Sequence, residues 1–332
     1  MAAFPAIFVV LLALGAADAS IAGVLWKPVS GNLKYVSVGA SGVWGVNRGG
    51  YIFYRVGTYG NEVSSGSSWQ PVRPGKLKHI SVGKDIVWGV DPHDGIFFRK
   101  GISPNNPTGT GWQRINGKLK MVNVSPTSNA VWGVDRNNAI FKWKGSRWQN
   151  IRPGKLTFVS VGKSGVWGVD SDGKVYYRTG TAFNENSAGT GWQKVPGSTL
   201  LVQISVGDRV VWGVTRNRQI YVRRGITQDN PMGTSWQSVR GQMEAVHVSS
   251  SSNQVWGVAS GQIYQRTGIS GDWFKRALEI KETLQDLRDI LEEADADVEE
   301  AREMEDMGED AGMDEDVEKE MRELEDMAGD EE

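Results

Sequence analysis

The sequence predicts an all-β ring of six four-stranded blades, a six-bladed β-propeller, followed by an acidic helical or disordered tail. Three observations predict it. The tetrapeptide Val-Trp-Gly-Val occurs six times, at 43–46, 87–90, 131–134, 166–169, 211–214 and 255–258. Its tryptophans are spaced by 44, 44, 35, 45 and 44 residues, a period in the range of propeller blades. Around each copy, short runs such as YVSV, HISV, FVSV and QISV alternate large apolar with small polar side chains, the pattern of a half-buried strand.

The chain opens on MAAFPAIFVVLLALGAADAS, with an apolar stretch from Ala6 to Ala17 that is short for a membrane span and ends in Ala17-Asp18-Ala19. This pattern predicts a secretory signal over 1–19, cut after Ala19 or alternatively at Ala22, and hence a secreted, extracellular protein. No other apolar stretch is long enough for a membrane helix, so no membrane insertion is expected. There is no cysteine. A secreted chain without disulfides must be held by core burial alone, which about 250 residues can supply.

Residues 20–272 are the expected propeller. Each unit reads roughly W-x-x-[VI]-x-G-x-L-x-x-V-S-V-G-x-x-x-V-W-G-V and starts at Trp26, Trp69, Trp112, Trp148, Trp192 or Trp236. A further strand, [IV]-[FY]-x-R-x-G, follows; in the third copy Trp143 stands where the others have arginine. Between them lie NRGGY, DPHDG, DRNNA, DSDGK, TRNRQ and ASGQ, rich in residues that tolerate the positive φ of tight hairpins. Unit 1 resembles unit 4, unit 2 unit 5, and unit 3 unit 6, as in GISPNNPTGTGWQ against GITQDNPMGTSWQ. A three-blade half, duplicated, accounts for this. WKPVSGNL at Trp26 fits the outer-strand template, whereas WFKRALEI at Trp273 shares only the tryptophan. Trp26–Val29 is therefore expected to complete the sixth blade and remove the exposed edge.

The net charge of −2 conceals a split. Residues 20–272 hold 30 Lys and Arg against 12 Asp and Glu, a balance of +18; residues 273–332 hold 7 against 26, a balance of −19. Within 273–304 a heptad places Ala277, Leu284, Leu291 and Val298 at one seam position and Ile280, Leu287, Ala294 and Ala301 at the other. It predicts a helix that either makes a homo-oligomeric coiled coil through 277–301 or lies back on the propeller. Residues 305–332, dense in charge and broken by Gly308, Gly312 and Gly329, are expected to be disordered.

The W-x-x-V-x-G-x-L, V-S-V-G and V-W-G-V-[ND] runs, six times in order over about residues 24–272, resemble the tectonin-repeat family, which includes fish-egg lectins and a tachylectin. The resemblance implies a six-bladed propeller that binds carbohydrate, commonly N-acetylglucosamine-containing or bacterial-surface glycans, in innate defence or egg protection.

An indole between two valines at every equivalent position fits inter-blade packing better than sugar stacking, and the glycine after it suits close approach of a neighbouring backbone. Arg55, Arg99, Arg178, Arg223 and Arg266 are expected to stack on aromatics or bind backbone carbonyls. The ligand-binding candidates lie in the long polar connections of units 1, 2, 4 and 5: Asn61 and Glu62, Asn105 and Asn106, Asn184 and Glu185, Asp229 and Asn230. Asparagine offers sugars both donors and acceptors, although it is also a turn former, and both readings stand.

Enzymatic chemistry is not expected. The histidines His79, His93 and His247 lie in three different repeats, and His93-Asp94 reads as surface. Carboxylate pairs for glycoside cleavage could form only between loops. No metal-ligand spacing occurs, Ala311 stands where an EF-hand loop needs glycine, and no cofactor is expected. The sequon Asn123-Val124-Ser125 falls in an inner strand and is expected to carry little glycan. The leading expectation is a non-enzymatic lectin, multivalent toward glycans, with bacterial lipopolysaccharide among the candidate partners and nucleic acid excluded. A matrix or biomineral protein with a calcium-binding acidic tail is the alternative, and a propeller glycoside hydrolase the weaker one.

Overall fold

The computed structural model describes residues 25–268 and 288–292, together with positions 319 and 322. The expected signal segment, most of the heptad stretch and most of the acidic stretch lie outside the described residues. The chain divides into two units, Met1–Trp273 and Phe274–Glu332. In the second, residues 288–292 are helical, and Ile290 and Leu291 are exposed.

The first unit holds six antiparallel sheets of four strands, each sheet one blade. In blade 1 the strands are Tyr35–Gly39, Gly42–Val46, Ile52–Arg55 and Trp69–Val72, in sheet order. The first strands of successive blades contact one another in a closed cycle and so surround the axis. Blade 6 combines Ala245–Val248, Val255–Ala259 and Gln262–Arg266 with Trp26–Val29 from the other end of the ring. Trp26 lies opposite Arg266 and Val29 opposite Ile263, which is the expected closure.

Each conserved phrase of the repeat has a packing reason. The six Val-Trp-Gly-Val tryptophans are at most 3% exposed. Trp88, Trp132 and Trp212 meet Trp148, Trp192 and Trp26 of the following blade edge-on, at 6.0, 6.4 and 6.3 Å between centroids. They are inter-blade packing. The glycine after each tryptophan answers mainly to a side chain rather than to the neighbouring backbone expected from sequence. A Cβ at Gly45, Gly89, Gly133, Gly168 or Gly213 would overlap Leu33, Leu77, Leu119, Leu156 or Leu201, the leucine that enters the same blade. The W-x-x-[VI]-x-G half of the phrase staples blades together. Trp69 Nε1 donates to the Ser30 carbonyl at 2.7 Å, and its ring covers Gly31. At the closure, Trp26 covers Gly241 and donates to the Arg240 carbonyl at 3.1 Å. The repeated arginine lies on the same indole: Arg55, Arg99, Arg178, Arg223 and Arg266 sit 5.1–5.6 Å from the ring centroids of Trp69, Trp112, Trp192, Trp236 and Trp26. In blade 3, Trp143 replaces the arginine and packs on Trp148 at 5.1 Å.

The alternating innermost strands depart from expectation in one respect. Their small polar residues are buried, as are the valines, because the strand faces a neighbouring blade on both sides. Each polar side chain accepts a hydrogen bond from an amide of the next blade: Val82 to Ser37, Val124 to Ser81, Val161 to Asn123, Val206 to Ser160, Val248 to Ser205 and Val38 to His247, at 2.8–3.2 Å. The six bonds form a closed circuit about the axis. Asn123 is therefore engaged and buried in the fold, consistent with an unoccupied sequon.

His247 accepts at Nδ1, which requires a neutral ring, and burial pushes its pKa down to about 4. Burial likewise pushes His79 to about 3. An unfolded histidine titrates near 6.5, so between that value and about 4 the unfolded chain binds more protons than the fold. Stability is complete above pH 6.5 and falls as the pH drops through this window. Replacing His247 by Asn, which does the same work at position 123, should preserve the amide bond and flatten the fall in melting temperature between pH 7 and 4.5. A pH profile as steep as that of the unaltered protein would contradict this account. For the glycine phrase, Gly213→Ala should lower stability by about 1–3 kcal/mol through overpacking. Gly111→Ala, with open space at its Cβ, should change it by less than about 0.5 kcal/mol in denaturant titration.

Candidate functional site

Antiparallel strands reverse direction at every turn, so the connections after the first and after the third strand of each blade emerge on one face. All eight residues singled out in the sequence lie in third-strand connections of blades 1, 2, 4 and 5, and therefore share that face. These connections are held at their base. Arg55 Nε donates to the Ser65 carbonyl at 2.7 Å, Arg99 to Thr108 at 2.7 Å, Arg178 to Ala188 at 2.9 Å and Arg223 to Met232 at 2.8 Å. Each guanidinium, stacked on its tryptophan, also reaches the carbonyl of the following glycine at 3.2–3.4 Å. Blade 3 has only a tight turn there, closed by the Lys144 amide on the Arg147 carbonyl. With no long connection to anchor, Trp143 serves in place of the arginine.

The eight residues separate into three kinds. Asn61, Asn105, Asn184, Asp229 and Asn230 are exposed. Asn106 is half-buried and closes a turn with Ser103, each amide donating to the other's carbonyl at 3.0–3.1 Å. Glu62 and Glu185 are buried, 7% exposed, with their carboxylates already engaged. Glu62 accepts from the hydroxyls of Ser251 and Ser252 in blade 6, and Glu185 from Ser125 and Thr127 in blade 3. Those hydroxyls belong to the first-strand connections of blades 3 and 6, which meet over the axis: Thr127 Oγ1 lies 3.2 Å from Ser250 Oγ. The two glutamates thus brace a plug across one end of the central channel. Toward the other end, the rings of Tyr35, His79 and Phe158 occupy the axis, with centroids 4.6 and 6.1 Å apart.

One recess on the loop-bearing face collects two of the eight. It has a volume of about 460 Å³ and is lined by Ser128, Lys163, Phe183, Asn184, Glu185, Asn186, Asp208 and Arg209, from blades 3, 4 and 5. Lys163 pairs with Asp208 at 3.2 Å, and the Arg209 guanidinium lies 5.0 Å above the Phe183 ring. Phe183, Asn186, Lys163 and Arg209 were missed in the sequence. They do not recur in the other half, and attention to recurrence passed over them. A position-by-position comparison of the halves would have exposed them.

The opposite face carries a wider cleft of about 1000 Å³ between blades 4 and 5, lined in part by Asp170, Asp172, Leu200, Val202, Asn217 and Tyr221. Its wall contains two residues more between glycine and leucine than any other unit, Gly197 to Leu201 against Gly31 to Leu33. On the same face His93 is exposed as expected, but Asp94 is not surface. It is buried at 3% and paired with Lys78 and Arg136. Burial acts to raise its carboxyl pKa, but the hydrogen bonds from Lys78 and Arg136 prevail and hold it below the usual carboxylate range. Among the described residues no cluster of three metal-ligating side chains occurs.

The tectonin domain model matches residues 11–128 and 112–276. A stretch of 37 residues is 60% identical to the perivitellin-2 31 kDa subunit of Pomacea maculata, covering 11% of this chain and 13% of that one. The matched stretch is thus a small fraction of the relative's length. Among solved structures, the Cps50 (Swd1) β-propeller domain of Myceliophteria thermophila is similar at a TM-score of 0.49 and 6% identity, over 73% of this chain and 99% of that one. Human WBSCR16 is similar at 0.48 and 10%, over 74% and 81%.

The brace makes a prediction of its own. Glu185→Ala removes the acceptor of the buried Ser125 hydroxyl and of the half-buried Thr127 hydroxyl, and loss of a charged hydrogen-bond partner costs about 1–3 kcal/mol. Glu62→Ala should behave alike, and the double variant should lose more than the sum, since both braces support one plug. Chemical denaturation of the four proteins measures this; strict additivity would separate the two braces.

Proposed function

The chain belongs to the tectonin domain family, a lectin-type family of propellers, and from that premise we propose that it binds glycans at several loop sites at once. One observation carries the proposal. Four long connections stand on a single face, each fixed at its base by a buried arginine, and each presents amide or carboxylate side chains to solvent at Asn61, Asn105, Asn184, Asp229 or Asn230. Preformed loops lose little freedom on binding. Asn side chains supply the paired donors and acceptors that hydroxyls and acetamides need. Sites that are weak singly become strong when one rigid body presents several together.

The finer reading is a secreted protein that recognises N-acetylglucosamine-type or microbial surface glycans, lipopolysaccharide among them, in innate defence. The signal-like start of the chain and the family resemblance support it. The acidic stretch after residue 273 favours a second reading, a matrix or biomineral protein in which that stretch binds calcium. The heptad over 277–301 fits a homo-oligomer that would multiply the sites further. Binding without chemistry is the simplest use of this face, since the two loop glutamates are committed to the plug.

Changing Asn61, Asn106, Asn184 and Asn230 together to Ala should abolish binding on a glycan array and lower the melting temperature by only a few degrees. Undiminished binding would exclude these loops. Running the array with and without calcium separates the two readings: binding that needs calcium and vanishes on truncation at Gly271 would favour the matrix protein.

A further inference from the structure

The ring is a duplication, so positions of one half have counterparts in the other. Around the recess of blade 4 the backbone of the third-strand connection matches its counterpart, and five of the eight lining side chains do not. The Phe183 amide donates to the Lys163 carbonyl at 2.7 Å, as the Gly60 amide does to Ala40 at 2.9 Å. Asn184 and Glu185 correspond to Asn61 and Glu62, and Ser128 to Ser252. The remaining five differ: Lys163 for Ala40, Phe183 for Gly60, Asn186 for Val63, Asp208 for Lys84 and Arg209 for Asp85.

Two of the five substitutions work against the backbone. Phe183 lies at φ 53° where its counterpart Gly60 lies at φ 62°. Glycine is at ease there; a bulky aromatic residue is an outlier. Arg209 lies at φ 58°, a conformation that blades 3 and 6 fill with Asn129 and Asn253, at 58° and 57°, residues that tolerate it better. The two strained side chains stack on each other. Strain of this kind collects at binding sites, where the surrounding structure enforces it.

The chemistry of the pair defines a ligand. The Arg209 guanidinium carbon lies 5.0 Å from the centre of the Phe183 ring, and among the described residues no hydrogen bond or ion pair joins its N–H groups to a protein acceptor. A guanidinium edge matches a carboxylate in two parallel hydrogen bonds. Lys163 adds a second cation at the wall, partly neutralised by Asp208. The Phe183 ring offers an apolar surface, and the exposed amides of Asn184 and Asn186 offer hydroxyl partners. A volume of about 460 Å³ accommodates one hexopyranose with water. The other half has Gly60, Asp85 and Val63 at these places, and Asp85 is held by the Asn129 side chain.

We propose that the recess at Phe183 and Arg209 is a single site, one per chain, for a carboxylated monosaccharide of the uronic-acid type, and that its counterpart at Gly60 does not share this preference. The proposal rests on the glycan-binding reading and narrows it to one site and one ligand class.

The test uses the full chain and saturation-transfer NMR, which registers millimolar binding, with glucuronic acid, glucose, N-acetylglucosamine and acetate as separate probes. Glucuronic acid should give transfer that follows a single-site isotherm with concentration, while glucose and acetate should bind at least tenfold more weakly. Phe183→Gly and Arg209→Asn install residues the same fold already uses at these conformations. Each should lower glucuronic acid affinity at least tenfold without lowering the melting temperature. Equal binding of glucose, equal binding of acetate, or unchanged affinity in both variants would overturn the site. N-acetylglucosamine binding that persists while glucuronic acid fails would overturn the site but leave the glycan-binding reading intact. Failure of all three sugars here, together with an unresponsive glycan array, would overturn both.

Discussion

The structure depends on how the innermost strands dispose of their open edge. A blade's first strand is paired on one side only, and its free amides face a crowded axis where an unmet buried donor is costly. The repeat answers with a polar residue in the middle of that strand, which receives an amide from the next blade. Serine fits four times, Asn123 and His247 once each. The circuit has no beginning or end, so each blade's satisfaction depends on its neighbour's position, and the ring has a single closed register. The outer staples operate at larger radius with weaker individual demands. Tryptophan on glycine ties each blade to the one before it, and arginine on tryptophan holds that indole from within its own blade.

Function is set apart from this framework by the arginines. Their stacking on the outer tryptophans belongs to the staple, while their N–H groups hold the ends of the long connections. One side chain thus joins ring assembly to loop shape. Blade 3, which lacks the connection, also lacks the arginine. The loops therefore inherit rigidity from the ring, and a site made between them needs little ordering when a ligand arrives.

Much of the ring was legible in the sequence, because a constraint repeated six times writes itself six times. The blades, the duplication, the closing strand at Trp26 and the buried indoles could all be read from recurrence. What recurrence could not reveal was the partner of each repeated residue. The glycine of Val-Trp-Gly-Val looked like a backbone contact and is a seat for a leucine; the alternating serines looked half-exposed and are buried acceptors. Glu62 and Glu185 recurred like their asparagine neighbours, yet their side chains turn toward hydroxyls about 190 and 60 residues away along the chain. Asp94 sat in a turn beside an exposed histidine and gave no local sign of Arg136. Phe183 and Arg209 were illegible for the opposite reason: they occur once.

The plug over the axis has a mechanical consequence. Glu62, the serines of blade 6, Thr127 and Glu185 form one short chain of contacts from the loop of blade 1 to the loop of blade 4. The two loops cannot drift apart or together without breaking it, so their separation is a constant of the molecule. A face built this way acts as a ruler. On the glycan-binding reading proposed above, it would discriminate among surfaces by the spacing of what they display, and two surfaces bearing the same chemical group at different densities would not look alike to it.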